Sequence, residues 1–526
     1  MTKTQKITFL YILLIGAFYI YLACTLSCEF DEAYTVSMIS HSFKEIVDIT
    51  SMDVHSPMYY FLVKIFAFLL PVNPIYSAKL FSSICAIIFL CVLNLSLPKY
   101  FGDRVALLTV FISSVAPAMI TQAGYARMYT LGILLITLTI LAGFKIYLLP
   151  EDDRSKWPYL AVFTLTAVLT MYEHAICTTM VMLIYAFFFI KLIFKRQFAK
   201  ALRFLLSGII AGVSFIPWLN VMLSQFNDRT STEGGLMYPL SEKEWYMGVF
   251  RSWKSFIFAG DMREDGRGTR FGMLVLFLSG FIVLYRAVRE FLDKKKDKSQ
   301  KAVSDNPLIS ENKCATLIEL LILIPATYIF VGIPLLMFTG QFYGRYGFPL
   351  LVTMWLVEAC AVNIIIEKTK ALAGKIKTGG NLVRICVFSV VGLFMSGMLV
   401  FGIRAYKDFA KYHDDSGLEV LQEAVPSELA SDERIMFGDH WSAILSIYRE
   451  PQSYMIYGYK LPGLPFPLDE TFTGWDQLDG VNTVWLISND IIEAPKLSPN
   501  FESEDGVSFS VNQYEFTVRR WERVSE

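Results

Sequence analysis

With 526 residues, 54% of them hydrophobic and only 18% charged, this chain has too few polar side chains to cover a water-facing surface; soluble domains carry about a quarter charged residues. Its 47 Lys and Arg nearly cancel its 48 Asp and Glu, which removes any case from overall charge for a nucleic-acid partner. Cysteines at 24, 28, 85, 91, 177, 314, 360 and 386 lie mostly inside apolar runs, without zinc-ligand or disulfide-framework spacing, so neither scaffold is expected.

Apolar runs able to cross a hydrocarbon core of about 30 Å occur near 7–26, 77–97, 105–121, 130–148, 158–172, 176–194, 202–222, 271–291, 315–338, 347–367 and 384–403. They predict about eleven transmembrane helices. The first run is about 20 residues long, beyond a signal-peptide core of roughly 7–15, and no small-residue cleavage site follows, so it reads as a retained span. Residues 57–70 are also apolar but shorter, contain Lys64 and sit between prolines, which suits a helix lying along the membrane surface.

Leaving 57–70 out of the spans places loops 98–104, 145–157, 191–203, 286–313 and 368–384 on one side with 23 Lys and Arg. The opposing loops 122–129, 173–175, 223–270 and 339–346 hold 9. Basic loops stay cytoplasmic, so the N-terminus is expected inside and the long first loop, 27–76, outside. Residues 404–526 are also expected outside. They are polar and cysteine-free, with strand-like runs at 434–438, 483–487 and 514–519 and a helical stretch at 417–424, which predicts a small extracytoplasmic α/β domain after a membrane domain of residues 1–403. A surface without disulfides fits a bacterial cell membrane. Residues 293–313 read as a charged loop.

The candidate chemistry lies in the outer loops. Cys28-Glu29-Phe30-Asp31-Glu32-Ala33-Tyr34 puts adjacent carboxylates just after the first span. Neighbouring side chains diverge, so one of Asp31 and Glu32 faces any given site; Asp31 equally suits the N-cap of a following helix. Asp53-Val54-His55-Ser56-Pro57-Met58-Tyr59-Tyr60 sets an acid two residues from an imidazole. That pair suits a metal, an oriented histidine, or a polar cap ahead of a Ser-Pro helix start. Gly124-Tyr125-Ala126-Arg127-Met128-Tyr129 places an arginine at the same membrane edge, either functional or snorkelling to headgroups. Tyr172-Glu173-His174 and Gln341-Phe342-Tyr343-Gly344-Arg345-Tyr346-Gly347-Phe348-Pro349 complete the outer set, and their tyrosines also suit an interfacial belt. Trp245, Trp253, Trp441 and Trp475 could stack on sugar rings or simply pack.

In this order, the motifs DEAY, DVHSPMYY, YARMY, YEH and GRYGFPLL resemble the GT-C fold glycosyltransferases of family 39, the protein O-mannosyltransferase-like and aminoarabinose-transferase-like proteins, over residues 7–366. The resemblance implies an all-α polytopic domain with a large first external loop and a membrane-parallel helix at 57–70. It implies a polyprenyl-phosphate-linked sugar donor, a protein, glycolipid or cell-wall polymer as acceptor, inversion at the sugar, and Asp31 as the catalytic carboxylate. The chain departs from the family pattern with Ser56 in place of a second proline and Tyr125 in place of a glutamate, for which Glu173 is a candidate substitute.

A sugar already joined to a lipid phosphate needs a base for the acceptor hydroxyl and positive charge for the leaving phosphate. Asp31 or Glu32 is the candidate base. Arg127 and Arg345, with Tyr59 and Tyr60, are candidates for holding phosphate and lipid. Asp53, His55, Tyr129, Glu173 and His174 are candidates for binding the sugar or shaping the loop. No cofactor is implied beyond a divalent metal that Asp31, Asp53 and His55 could ligate. A lipid or sugar transporter, or a non-catalytic scaffold with an external binding domain, is the alternative for so many spans; transporters favour ionisable residues at the bilayer midplane, and here they cluster at the ends of spans.

Overall fold

Over their described residues the eleven apolar runs are largely helical in the computed structural model, which describes residues 1–53, 55–150, 156–232, 266–296, 313–334, 344–375, 380–413, 415–439, 442–448, 454–457, 470–472, 475–489, 500–511 and 514–524. Helix α1 (Lys3–Thr25) leads into a segment of three short helices, α2 (Phe30–Ser40), α3 (Phe43–Met52) and α4 (Met58–Leu69). Then come α5 (Pro74–Ser96), the single turn α6 (Pro98–Phe101), α7 (Asp103–Val115), α8 (Pro117–Ala123), α9 (Tyr129–Leu148), α10 (Lys156–Met171), α11 (Ala175–Phe194) and α12 (Phe198–Thr232). The remainder of the bundle is α13 (Gly266–Lys296), α14 (Lys313–Leu321), α15 (Leu323–Thr327), α16 (Leu351–Lys375) and α17 (Gly380–Tyr412).

Among the described residues, nine helical segments are long and apolar enough to span a bilayer. Helices α7 and α8, bent by 65° at their break, make a tenth if the pair is read as one span, and the 16-residue α10 answers the remaining run. This is a multi-pass membrane protein. Side chains such as Leu393 and Phe277, 73% and 70% exposed, have only hydrocarbon to cover them. The bend has a cause in sequence. Pro117 has no N–H to offer the Ser113 carbonyl four residues back, and in the same turn the Ser114 carbonyl accepts from the Tyr19 hydroxyl at 2.7 Å. Helix α17 crosses at this break, where a β-carbon on Gly402 would collide with the Val115 carbonyl.

Helix α4 has 12 residues, about 18 Å at 1.5 Å per residue, too short to cross. Phe68 and Leu69 at its end stay exposed, while Lys64 turns inward to donate to the Ile39 carbonyl at 2.7 Å. These are the traits of an interfacial helix.

Helix α17 runs past residue 403 to Tyr412 before the C-terminal domain begins. That domain opens with α18 (Gly417–Ala424) and holds β1 (Glu433–Phe437), β2 (Tyr454–Tyr457), β3 (Glu470–Phe472), β4 (Thr483–Asn489), β5 (Phe501–Ser503), β6 (Val507–Val511) and β7 (Tyr514–Arg523). Strands β3, β2, β1 and β4 are parallel neighbours in that order, with Ile435 opposite Trp485. Strand β7 is antiparallel to β4, with Leu486 opposite Arg519, and also pairs β5 and β6. The three strands and the helix expected from sequence are all present. One face of the sheet buries Ile435, Phe437, Ile487, Phe516 and Val518 together with Ala33 of α2, and Phe30 packs against the same cluster. The acidic first loop is therefore roofed by the C-terminal domain.

Candidate active site

The adjacent carboxylates of α2 have separate partners. Glu29, not Asp31, occupies the N-cap position, and its N–H donates to Glu32 Oε2 at 3.1 Å. Asp31 is thereby left for other work. Its Oδ2 lies 2.9 Å from the Arg345 guanidinium. The Tyr125 hydroxyl stands between two acids, 2.6 Å from Glu29 Oε2 and 3.3 Å from Asp31 Oδ2. Burial opposes ionisation of Asp31, but Arg127 and Arg345, with the Tyr125 hydrogen bond, outweigh it and lower its carboxyl to about 2. Glu29 goes the other way: burial and the neighbouring Asp31 raise it.

Arg127 is almost wholly buried, at 2% exposure, and its fork holds three elements at once. Nη1 donates to the Asp31 carbonyl at 3.2 Å and to the Tyr60 hydroxyl at 3.4 Å. Nη2 meets His55 Nε2 at 2.8 Å. A guanidinium only donates, so Nε2 must be the unprotonated nitrogen of that imidazole. The Arg127 carbonyl accepts from Ser82 at 3.2 Å, and Ser82 also meets the Tyr59 hydroxyl at 2.9 Å. Snorkelling to headgroups does not describe this arginine.

Glu32 is fully buried. Its Oε1 accepts the Ala126 N–H at 2.8 Å and lies 3.4 Å from Lys79 Nζ; its Oε2 meets His413 Nε2 at 3.0 Å. Burial again opposes ionisation, and Lys79 and His413 overcome it, lowering the carboxyl below the usual range. Lys79 also donates to the carbonyls of Leu26 and Ser27, at 2.9 and 2.5 Å, just past the end of α1. The C-terminal domain closes the arrangement. The Tyr448 hydroxyl accepts from the Cys28 N–H at 2.7 Å and donates to the Cys28 carbonyl at 3.1 Å, and Ser27 Oγ donates to the His413 carbonyl at 2.8 Å.

The remaining candidates form an aromatic wall. The His174 ring centroid lies 5.4 Å from Tyr346, 6.2 Å from His55 and 6.3 Å from Tyr129. His174 Nδ1 accepts the Ile176 N–H at 3.1 Å, capping α11. Burial, reinforced by the positive charge of Arg127 and Arg345, lowers His174 to about 3, so it is neutral near pH 7. Glu173 points elsewhere, with its carboxyl against Gly132 and beside the Cys177 thiol. Burial pushes it up to about 8. It therefore does not stand in for a glutamate beside Arg127, whose side-chain partners are Asp31, Tyr60 and His55.

Asp53 and His55 are 3.8 Å apart, and among the described residues no group of three or more His, Cys, Asp or Glu is arranged to hold a metal ion. Val54, Gln341, Phe342, Tyr343, Trp245, Trp253 and Trp441 lie outside the described residues, as does the side chain of Trp475. The structure brings Asp31, Arg127 and Arg345 together, with Glu29, Tyr125, Lys79, His413 and Tyr448, which sequence reasoning did not single out as site residues, around them. Lys79 carried a signal: a lysine at the end of an apolar span requires a buried counter-charge.

Residues 54–220 match the family of dolichyl-phosphate-mannose-protein mannosyltransferases. ArnT from Cupriavidus metallidurans is similar in structure along nearly its whole length. In the apo state it is 10% identical with a TM-score of 0.56, and bound to undecaprenyl phosphate it is 11% identical with a TM-score of 0.52; in each comparison 97% of both chains is covered. The archaeal oligosaccharyltransferase AglB from Archaeoglobus fulgidus is 11% identical, covering 93% of this chain and 70% of that one, with a TM-score of 0.46. No curated protein sequence matches the chain. The chain thus resembles membrane glycosyltransferases of the GT-C kind, in fold over its whole length and in sequence over residues 54–220.

Proposed function

We propose that this protein is a membrane glycosyltransferase that moves a sugar from a polyprenyl-phosphate carrier to an acceptor hydroxyl, at the end of the bundle that carries α2. The observation that carries the reading is Asp31 held against Arg345, Arg127 and Tyr125 at the edge of an otherwise apolar bundle. The family match to dolichyl-phosphate-mannose enzymes and the fold shared with ArnT, solved with undecaprenyl phosphate, support the donor class. The excess of Lys and Arg in the opposite loops supports placing this end outside the cell.

In this reaction the acceptor oxygen attacks the anomeric carbon while its proton passes to Asp31. The bond from that carbon to the phosphate oxygen breaks, and its electron pair leaves on polyprenyl phosphate. One direct displacement inverts the anomeric centre. Asp31 in the donor-free protein is too acidic to be a good base, because effective bases lie near the working pH. The incoming phosphate changes that. Guanidiniums favour phosphate oxygens, often through paired bonds, and each one the phosphate claims is lost to Asp31, whose proton affinity then rises. Donor binding therefore prepares the base. The Tyr125 hydroxyl, bridging Asp31 and Glu29, gives the captured proton a second carboxylate to reach. Glu32, Lys79 and His413 have the structural task of holding α2 in place, and the wall of Tyr129, His174 and Tyr346 faces the sugar side.

The test is mass spectrometry of lipid-linked sugars in membranes of cells with the normal protein, no protein, or Asp31→Asn at matched expression. One polyprenyl-phosphate sugar should accumulate equally in the last two. Unchanged lipid-linked sugars in both, with donors being synthesised, would remove the reading.

A further inference from the structure

Helix α2 belongs to two parts of the molecule at once. Phe30 and Ala33 pack into the core of the C-terminal sheet with Ile435 and Phe516. Asp31, between them in sequence, faces Arg345 and Tyr125. Side chains three apart share one face of a helix, and adjacent ones diverge. A displacement of the face held by the sheet domain therefore carries Asp31 with it.

The turn that feeds α2 is held from both sides. Lys79 of the bundle donates to the carbonyls of Leu26 and Ser27. From the C-terminal domain, one hydroxyl holds both backbone groups of Cys28: Tyr448 accepts the N–H at 2.7 Å and donates to the carbonyl at 3.1 Å. Two opposed bonds to one residue fix its orientation as well as its place. Cys28 stands immediately before Glu29 at the N-cap, and Glu29 meets the Tyr125 hydroxyl that also reaches Asp31. Tyr448 acts from a firm base, since Ala443, Ile444 and Leu445 of its own turn, Ser442–Tyr448, are buried in the sheet core.

We propose that Tyr448 is a positioning residue of the transferase site, through which the C-terminal domain fixes the Cys28–Glu29 turn and with it the placement of Asp31. The effect on turnover rests on the transferase reading; the hold on α2 does not. Tyr448→Phe leaves the other anchors of α2 intact. Glu32 keeps Lys79, His413 and the Ala126 N–H, and Ser27 keeps the His413 carbonyl. The loss is one of geometry, to which catalysis is sensitive: a misplacement of about 1 Å can cost about 10²-fold.

The experiment compares turnover of a polyprenyl-phosphate sugar, thermal melting and hydrogen exchange by mass spectrometry in the purified full-length protein, Tyr448→Phe, Val484→Ala and Asp31→Asn. Val484 is buried in the second core cluster of the sheet domain, which contains neither Phe30 nor Ala33, so its truncation loosens the domain without touching the turn. Tyr448→Phe should lower kcat about 10-fold with donor KM within about twofold, and speed exchange at residues 28–34. Val484→Ala should melt at least as early yet keep both kcat and the protection of residues 28–34. Normal kcat in Tyr448→Phe while Asp31→Asn is inactive overturns the proposal, as does an equal fall in kcat in Tyr448→Phe and Val484→Ala at matched melting. Normal turnover in Asp31→Asn removes the transferase reading instead, and the exchange at residues 28–34 then decides alone whether Tyr448 holds α2.

Discussion

Asp31 and Glu32 are neighbours on one helix turn, yet they meet opposite surroundings. Asp31 looks toward guanidiniums and a tyrosine and remains a quarter exposed, while Glu32 is sealed among Lys79, His413 and the Ala126 N–H. The contrast teaches what a fully enclosed ion pair does that a half-open one cannot. Charges taken wholly out of water tolerate no loss of a partner, so the Glu32 cluster suits fixing geometry. Charges at a rim can trade one partner for another, which a base beside an incoming phosphate must do.

The comparison breaks most sharply at Asp31. Asp31→Asn should lower kcat about 10²–10⁴-fold, the usual share of a general base, while the melting temperature stays near that of the normal protein. A single-turnover assay with a polyprenyl-phosphate sugar beside a thermal melt checks both halves. A large fall in melting temperature would move Asp31 into the structural class.

On the other side of the helix the expected loss is stability. Lys79→Met leaves Glu32 with one partner fewer in a dry site and should cost about 3–5 kcal/mol, read from thermal or denaturant unfolding in detergent. Pairing it with Glu32→Gln should restore part of the loss, since no lone buried carboxylate then remains. Glu32 also sets a pH dependence. Its carboxyl is lowered in the folded protein, so its stabilisation is complete above the ordinary glutamate range of about 4.3 and is lost as pH falls through its lower folded value.

A smaller effect sharpens the role of Arg345. Asp31, held at about 2, is ionised in the free protein at any usable pH. Arg345→Gln removes one of the charges holding it down, so its carboxyl should rise toward about 3.9. Activity needs the ionised form and is lost as pH falls through that value, so the acid limb of kcat/KM should move upward in the variant. An unmoved limb would mean that Arg345 does not govern Asp31. The smallest effect is expected for Tyr448→Phe, which removes a hydroxyl bonded to Cys28 and should cost about 1 kcal/mol of stability.

Much of this was legible in the residues. A helix of 20 apolar residues has one reading when its loops segregate positive charge, which is why the runs from α1 to α17 were recoverable and α4 could be set apart by its length. Asp31, Arg127 and Arg345 were recoverable as a set because each lies at the same end of a span. What stayed hidden were partners without a periodicity to announce them. His413 meets Glu32 across 381 residues, and the Tyr125 hydroxyl reaches Glu29 across 96. The chain has Tyr125 where the family pattern often has a glutamate, and in the structure the Tyr125 hydroxyl meets Glu29 at the N-cap of α2. Strands β2, β3, β5 and β6 escaped because segments of three to five residues leave little room for alternation to show.

The bracket that Tyr448 places on Cys28 spans 420 residues, and this has a consequence for biosynthesis. A ribosome adding about 5–20 residues per second needs on the order of 20–80 s to travel between those two positions. During that interval the acidic loop has left the ribosome while its roof does not yet exist. The newborn protein must hold Asp31 and Glu32 without His413 or Tyr448, and their surroundings are completed only once residue 448 has been added.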